Sequence, residues 1–453
     1  MKLVAAVLSL TSTLLAADCV PPALGEKEKL AKFQELDRAA QSAFDRGKFA
    51  EAAEQYRQAV CLAPESGRAL YGLGIAEAAS GKLPAGRKAL EKAIAILPGN
   101  ALPLAMLVRV DVAMKDIEHV KEDLRIAGQR FPKDADLHSG LARFLAENQL
   151  LDLALAESLR FEQTGASDAA STVALAVLEN TVGAYQDAIR NGQAVEEQVR
   201  VADAVRASAA GVTGLSYEGI GEREQAIQHL KRAVELAPSQ ENSYLALADL
   251  YEKSRHFDEA VKVLERGREQ VPQSINFLLP LGNNLVWMER YDDGISVLSD
   301  LLQKQPATPE AYLRLAEAYR NTGRPELEVA TLDKLARIQP DYPMVKVLAA
   351  KAMLSLDPVD YPAVLKTLVE AEKSSPQDAD VFYLRGRAYA ATDRAREAVA
   401  AFQRAIELRP MDPAPYYQLG LTWRKLGQES LSREALNRMQ HVKQAAGASD
   451  SKP

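Results

Sequence analysis

Cysteine and histidine are scarce in this chain. Its 453 residues include two cysteines, Cys19 and Cys61, and five histidines. No two histidines stand at a metal-binding spacing, and there is no His-Glu-x-x-His segment, phosphate-binding glycine loop or nucleophile elbow. We therefore expect a protein that is not an enzyme and that uses neither a metal nor a cofactor.

Clusters of basic residues and long apolar runs are also missing from most of the chain. The formal net charge is −7, and no basic stripe occurs along the sequence. Nucleic acid is not an expected partner, because phosphate backbones are bound by clustered cations. Beyond the N-terminus no apolar run is long enough to span a bilayer, so we expect no membrane span in the mature chain.

The N-terminus has the character of a secretory signal. Lys2 precedes an apolar run from Leu3 to Ala17 that ends in small residues, which predicts a signal peptide over residues 1–17. Asp18 precedes Cys19 at a position where a lipid-attachment motif has Gly or Ala, and this disfavours lipid anchoring at Cys19. We expect an exported protein, periplasmic or secreted, whose mature chain starts with a lead-in segment over residues 18–32.

Both cysteines remain after cleavage of the signal. In an oxidising compartment Cys19 and Cys61 could form a disulfide that ties the lead-in segment to the first helices. Alternatively, Cys61 is a buried thiol and Cys19 lies in a disordered segment. Both interpretations are consistent with the sequence.

Prolines recur along the chain in two evenly spaced series. The spacing is the same in both, and the last two prolines continue the second series after one slightly longer step. The prolines are Pro64, Pro98 and Pro132, then Pro238, Pro272, Pro306, Pro340, Pro376 and Pro410. Each follows a helix-like apolar run that proline cannot continue. One supersecondary unit copied many times, a solenoid, is therefore predicted.

Other columns appear when the units are aligned on these prolines. A small residue such as Ala226 precedes the proline by a fixed distance, and a large apolar residue such as Leu230 follows that small residue about one helical turn later. A Leu-Gly or Leu-Ala pair such as Leu281-Gly282 marks the first half of each unit. The spacings predict two antiparallel helices, A and B, in which small residues allow close approach and large residues fill the groove.

These columns resemble the tetratricopeptide repeat family over residues 33–440. The resemblance implies an all-α fold, a right-handed superhelical α-solenoid of about 11–12 helix pairs. It also implies a non-catalytic scaffold for protein or peptide partners. The related pentatricopeptide repeats bind RNA, and the absence of a basic stripe disfavours them.

The repeats are predicted to form two blocks. Residues 33–166 hold four repeats, residues 207–446 hold about seven, and residues 447–453 form a disordered tail. The columns are lost over residues 167–206, which are predicted to be a divergent helical pair. This segment is either one repeat that has drifted or a hinge or dedicated binding element. Two extra residues within Leu356–Pro362 are expected to lengthen the turn of the tenth pair.

The resemblance directs attention to the face of helix A that lines the concave groove of such arrays. Candidate partner-binding residues there are Asn283, Trp287, Arg320, Tyr383, Arg387, Tyr417, Arg424 and Lys425. Aromatic faces suit apolar or proline side chains, and cations suit carboxylates, so an extended peptide is the expected ligand. Alternatively, these side chains only cover a solvated helix face.

Two functions follow as hypotheses. The first is a scaffold or adaptor exported to the cell envelope that binds protein or peptide partners in the groove. The second is an envelope module associated with carbohydrate or peptidoglycan through Trp287 and the tyrosines.

Overall fold

The computed structural model of the chain describes residues 24–342 and 344–449, and all regular secondary structure in these ranges is helical. The 24 described helices are α1 (Glu26–Asp45), α2 (Phe49–Leu62), α3 (Gly67–Ala79), α4 (Leu83–Ile96), α5 (Leu102–Ala113), α6 (Ile117–Arg130), α7 (Ala135–Glu147), α8 (Leu151–Gln163), α9 (Ala169–Thr181), α10 (Tyr185–Glu196), α11 (Asp203–Gly219), α12 (Arg223–Leu236), α13 (Glu241–Lys253), α14 (Phe257–Gln270), α15 (Leu278–Trp287), α16 (Tyr291–Lys304), α17 (Pro309–Asn321), α18 (Pro325–Ile338), α19 (Val345–Met353), α20 (Tyr361–Ser374), α21 (Ala379–Ala391), α22 (Ala395–Leu408), α23 (Pro413–Lys425) and α24 (Glu429–Ser449).

The helices form twelve pairs, each with an odd-numbered A helix and an even-numbered B helix that pack against each other. Successive B helices begin at one regular interval, as at Phe49 and Leu83. Two steps are longer than this interval. The step from the start of α10 to the start of α12 has four extra residues, and the step from α18 to α20 has two. The predicted number of helix pairs is therefore the observed one.

The turn between the two helices of a pair has a constant conformation. In eleven pairs it is three residues long, and its middle residue has a positive φ. These middle residues are Gly47, Gly81, Lys115, Gln149, Gly183, Gly221, Arg255, Glu289, Gly323, Asp393 and Gly427. Residues with a Cβ rarely adopt this left-handed conformation, which explains glycine at six of the positions. The described turn of the tenth pair, residues 354–360, is longer and has no left-handed residue, in line with its two-residue insertion.

Small residues allow the helices of a pair to approach closely. A Cβ atom on Gly74 of α3 would lie 2.6 Å from Cγ of Leu90 in α4, and one on Gly86 would lie 2.7 Å from the carbonyl oxygen of Gly74. Leu298 contacts Gly282 in the same way. Each large residue thus packs directly against helix backbone, which a larger residue across the pair would prevent.

The described chain divides into two compact units. The first unit ends at Leu236 and contains α1 to α12, and the second begins at Ala237 and contains α13 to α24. Each unit therefore holds six helix pairs.

The segment predicted to diverge, residues 167–206, lies inside the first unit and contains a regular helix pair. The A helix α9 and the B helix α10 each begin one full interval after their predecessors in the fourth pair. The next A helix, α11, also begins on schedule but has 17 residues where α9 has 13. The four extra residues are therefore one additional turn of α11, beyond the segment that lost the sequence columns.

The ends of the described chain are helical. Because α1 begins at Glu26, part of the predicted lead-in segment is helix, and α24 includes the first three residues of the predicted tail 447–453. The predicted signal peptide, residues 1–17, and Cys19 lie outside the described residues. None of the helices described here combines the length and apolar character needed to cross a bilayer.

Candidate functional site

Trp287 is a large aromatic side chain left 39% exposed at the end of the A helix α15. Its ring centroid lies 5.3 Å from that of Phe257, the first residue of α14. The guanidinium carbon of Arg314, from the next A helix α17, lies 5.0 Å from the centre of the Trp287 ring. This cation–π contact fixes the ring between two A helices.

Arg314 also connects Trp287 to Asn283. Its Nε donates a hydrogen bond to Asn283 Oδ1 (3.3 Å), and its Nη1 donates to Glu317 Oε2 (2.6 Å). Asn283, Trp287, Arg314 and Glu317 together form what we term the Trp287 cluster. The sequence predicted Asn283 and Trp287 but missed Arg314, whose available signal was the opposite charge three residues later at Glu317.

A buried polar layer supports the cluster. The fully buried Asn284 of α15 donates through Nδ2 to Glu252 Oε2 of α13 (3.0 Å) and to the carbonyl oxygen of Pro280 (2.8 Å). Burial raises the pKa of Glu252 above its ordinary value, and the hydrogen bond from Asn284 opposes that shift. The hydrogen bond links α15 to the preceding A helix, and Asn284 lies three residues before Trp287 in the same helix.

Two of the predicted cations are paired within the chain. Arg320 Nε lies 2.7 Å from Oε1 of Glu328, a buried carboxylate at a small-residue position of α18. Lys425 pairs with Asp393, the left-handed residue of the preceding pair's turn, and its hydrogen bond lowers the pKa of Asp393. A partner carboxylate would have to share either cation with the carboxylate that already contacts it.

The other predicted residues lie on the A helices α21 and α23. Tyr383 is half-buried, and its ring centroid lies 6.1 Å from that of Phe402, so it contributes to the core. Tyr417 and Arg424 are exposed and Arg387 is half-buried. Among the described residues no hydrogen bond, ion pair or ring contact joins these last three, so a joint peptide site there stays a prediction.

Cys61 lies in the last turn of α2 and is half-buried. Its predicted partner Cys19 is outside the described residues, so the disulfide stays a prediction. Within the described ranges, no group of three or more His, Cys, Asp or Glu side chains is arranged to hold a metal ion.

The first unit contains buried acids that sequence inspection did not single out. Glu77 of α3, Asp111 of α5 and Glu179 of α9 occupy equivalent positions, six residues before a B helix. Arg57 pairs with Glu77, and Asn191 donates to both carboxylate oxygens of Glu179 (2.8 and 3.0 Å). These partners come from the B helix of the preceding pair or of the same pair, so the contacts connect neighbouring helices.

Asp111 forms a carboxyl pair with Asp123 of α6. Both side chains are buried, and Arg87 Nε of α4 lies 3.0 Å from Asp111 Oδ1, although its N–H does not point at that oxygen. Burial, followed by the contact with Asp111, raises the pKa of Asp123 to about 8. Asp123 is therefore mostly protonated at neutral pH, and Arg87 balances the remaining charge.

A second buried polar contact links α7 to α8. His138 is fully buried, with Nδ1 2.6 Å from Glu157 Oε2 and Nε2 3.0 Å from the carbonyl oxygen of Phe131. Glu157 is also fully buried and pairs with Arg160. Each ring nitrogen of His138 therefore faces a hydrogen-bond acceptor, a carboxylate on one side and a backbone carbonyl on the other.

Comparison with known families identifies the repeat. One tetratricopeptide repeat model matches residues 38–101, 279–343, 363–413 and 383–449, and a second matches residues 221–278. The chain belongs to the tetratricopeptide repeat family. The predicted all-α solenoid class is thereby confirmed, and the chain joins a family of protein-interaction scaffolds whose fold is typically non-catalytic.

Solved structures with the same kind of fold have low identity to this chain. MamA from Desulfovibrio magneticus RS-1 is 18% identical, with 38% of this chain and 96% of that chain covered and a TM-score of 0.35. Naa15/Naa10 bound to HypK-THB is 14% identical, with 90% and 68% covered and a TM-score of 0.41. The C-terminal part of a tetratricopeptide repeat-containing protein from Cytophaga hutchinsonii is 11% identical, with 55% and 99% covered and a TM-score of 0.47. No curated protein sequence matches this chain.

Proposed function

We propose that the protein is an exported, non-catalytic scaffold that binds protein or peptide partners on the A-helix surface of its second unit. The observation that carries the proposal is the exposed ring of Trp287 held in place by Arg314. Tryptophan and arginine are among the residues most enriched where binding energy concentrates in protein interfaces.

The Trp287 cluster combines an apolar face with polar groups of both signs. Contacts with Phe257 and Arg314 hold the ring before any partner arrives, so binding loses little side-chain entropy. Arg314 uses two of its nitrogens for Asn283 and Glu317, and a guanidinium has five N–H donors in all, so others can meet a partner carboxylate or carbonyl. The cluster therefore suits one anchored apolar side chain with a polar backbone beside it.

Tyr417 and Arg424 of α23 extend the proposed surface toward the C-terminus. They are exposed and lie on an A helix of the same unit as the Trp287 cluster. An extended peptide that contacts several A helices in turn would use one anchor at each, which is how arrays with small repeats gain affinity from separate weak contacts.

A second candidate function is attachment to envelope carbohydrate. An exposed indole ring flanked by the amide of Asn283 and the carboxylate of Glu317 can also stack on a sugar ring and hydrogen-bond its hydroxyl groups. The two candidates predict different ligands for the same cluster, so one set of variants distinguishes them.

The binding experiment compares Trp287→Ala and Arg314→Ala with Val369→Ala, which removes an exposed apolar side chain from the B helix α20. Tagged proteins are used to recover partners from a cell-envelope fraction, and each recovered protein is then titrated by calorimetry. We expect at least tenfold weaker binding for the two cluster variants and no change for Val369→Ala. Equal binding by all of them would remove the cluster from consideration, and retention on purified peptidoglycan without a protein partner would favour the second candidate.

Export is supported by the apolar run Leu3–Ala17 after Lys2. The test is the intact mass of the protein from fractionated source cells. We expect a species that lacks about the first 17 residues in the envelope or medium. Full-length protein confined to the cytoplasm would refute the export part of the proposal and leave the binding part standing.

A further inference from the structure

In ten of the twelve described pairs, the eighth residue of the B helix is large and apolar or aromatic. The fourth and fifth pairs are the exceptions. The large residues at this position are Tyr56, Leu90, Leu124, Leu230, Leu264, Leu298, Leu332, Leu368, Phe402 and Leu436. The fourth pair has Ser158 there, and the fifth has Gly192. At Gly192 the space is occupied, because a Cβ atom would collide with Oγ1 of Thr213 from α11.

At Ser158 the space stays open. A cleft of about 570 Å³ lies between α7, α8 and α9, and Ser158 forms part of its wall. Most of the exposed lining surface is apolar, although eight of the 15 lining residues are polar or charged. The apolar residues are Ala142, Ala146, Phe161, Ala174, Leu175, Val177 and Leu178. The A helices α7 and α9 make almost no close backbone contact across it, as is usual for successive A helices in this chain, whereas α9 and α11 pack together. Its volume is within the range of pockets that bind small ligands or anchor side chains.

Charged side chains of both signs line the same cleft. Arg143 and Glu147 extend from α7 and Glu162 extends from α8, and all three are exposed. None of them takes part in an ion pair with any residue that the structure describes. Two carboxylates against one guanidinium leave a net negative charge beside an apolar interior, and such an edge favours a cation on the ligand.

We propose that this Ser158 cleft binds a peptide segment of a partner protein that inserts a leucine-like side chain and carries a basic residue beside it. The protein's own repeats indicate the occupant. In the seventh pair, Leu264 stands at the equivalent position and Ala248 stands across from it, while here Ser158 stands across from Ala142. The fourth pair has the small residue Ala142 on its A helix but no leucine at position 158. The leucine side chain of a partner can therefore enter this space.

The half-exposed wall supports the same conclusion. Val177 of α9 lines the cleft with 47% of its surface exposed, so a bound aliphatic side chain would remove apolar surface on both sides from water. The Ser158 cleft is in the first unit and the Trp287 cluster is in the second, so this proposal and the proposed function can fail independently.

The test uses the full mature chain and defined probes. Fluorescence anisotropy is measured with a fluorescein-labelled hexapeptide that has a central leucine flanked by lysines. Two matched peptides replace the leucine with asparagine or the lysines with glutamates, and decanoate serves as a small aliphatic competitor. We expect the first peptide to bind and the two matched peptides to bind at least tenfold more weakly.

Protein variants locate the binding. Ser158→Leu restores the leucine–alanine pair of the seventh repeat, and we expect at least tenfold weaker peptide binding with an unchanged or raised Tm. Ser158→Ala keeps the space open and should bind as the wild type does. Val177→Lys places a cation on the exposed wall, where it removes apolar contact and repels the basic residue of the ligand. It should weaken binding even if leucine does not fit at position 158.

Three results would overturn the proposal. Binding that is unchanged in both Ser158→Leu and Val177→Lys would place the peptide elsewhere. Saturable binding of decanoate without binding of any peptide would assign the cleft to a small amphiphile. Absence of binding by the leucine peptide at millimolar concentration would leave the cleft without the proposed ligand.

Discussion

The two units carry different side chains at one equivalent position of their A helices. Six residues before a B helix, three of the six pairs in the first unit have the buried acids Glu77, Asp111 and Glu179. Four of the six pairs in the second unit have an aromatic residue there, Tyr251, Tyr319, Tyr389 and Trp423, and the last pair of the first unit already has Tyr217. The helix lengths, the repeat interval and the left-handed turns are nevertheless common to both units. The repeat backbone therefore accepts either a paired polar interior or an aromatic one.

The two interiors should respond differently to change. Packed aromatic rings contribute through contact area, which does not depend on pH. A buried charge is stable only while its partner is present. Without the partner, the surrounding structure does not compensate for the free energy lost when the charged group leaves water. The pairs with buried acids at this position should therefore be sensitive to loss of single cations and to pH, and the pairs with aromatic residues there should be much less so. In the second unit, buried Glu328 with its partner Arg320 belongs to the sensitive class.

Removing a buried partner should give the largest effect. Arg87→Ala leaves the Asp111–Asp123 pair without its cation, and we expect the first unit to lose roughly 3–5 kcal/mol of stability at pH 8. The measurement is hydrogen exchange of amides in α4 to α6, with the second unit as an internal reference.

The matched control for Arg87→Ala is Lys425→Ala. It breaks an ion pair of the second unit whose side chains are 56% and 85% exposed, and it should change exchange in neither unit. Equal loss of protection in the two units after Arg87→Ala would show that the polar interior is not specific to the first.

The pH response should come next in size. The pKa of Asp123 is raised to about 8 in the folded protein, so folding takes up a proton between about pH 4 and pH 8. The resulting stability is fully present below the ordinary Asp pKa and is lost as the pH rises through 8. Asp123→Asn removes this titration, and at pH 8 it should stabilise the first unit relative to wild type.

Denaturant unfolding of both proteins from pH 5 to pH 8 checks this expectation. The advantage of Asp123→Asn should grow with pH in the first unit and be absent in the second. An advantage that is constant over this range would mean that Asp123 does not hold its proton in the folded state.

The smallest effect should be the same in both units, because the turns do not differ. Gln149 and Glu289 are left-handed residues of the first and second units, with φ of 61° and 59°. Replacing either with glycine should stabilise its unit by about 1 kcal/mol, since glycine has no Cβ penalty there. Thermal unfolding measures the change, and Gly183→Ala should shift Tm in the opposite direction. A gain in only one unit would show that the turns differ as well.

The repeat architecture could be predicted from local signals. Proline after B helices and Leu-Gly pairs in A helices report on the backbone of a single pair, and the twelve described pairs keep one period at all but two steps. The fifth pair was predicted as a divergent helical pair, and its regular spacing was not recognised because Gly192 replaces the expected large residue and no proline follows α10. Gly183, which stands one full repeat interval after the left-handed Gln149, was the signal that could have placed it.

The candidate sites could be predicted only in part. Trp287 and Asn283 follow from their places on an A helix, but Arg314 meets them through a contact between two helices. Arg320 looked available because its partner Glu328 occupies a position where the other repeats mostly have small residues. The protonated Asp123 depends on burial beside Asp111, and a sequence pattern shows neither the burial nor the distance.

The lengths of the two irregular steps have a consequence for how this array can evolve. Four extra residues add about one helical turn, so they fit inside α11 without rotating its later side chains off the buried face. Two extra residues would rotate a helix by more than half a turn, and in the tenth pair they lie in the connecting loop instead. The length of an insertion or deletion therefore decides where this array can accommodate it. A whole helical turn fits inside a helix and a whole repeat fits between repeats, whereas any other length fits only in a connecting loop.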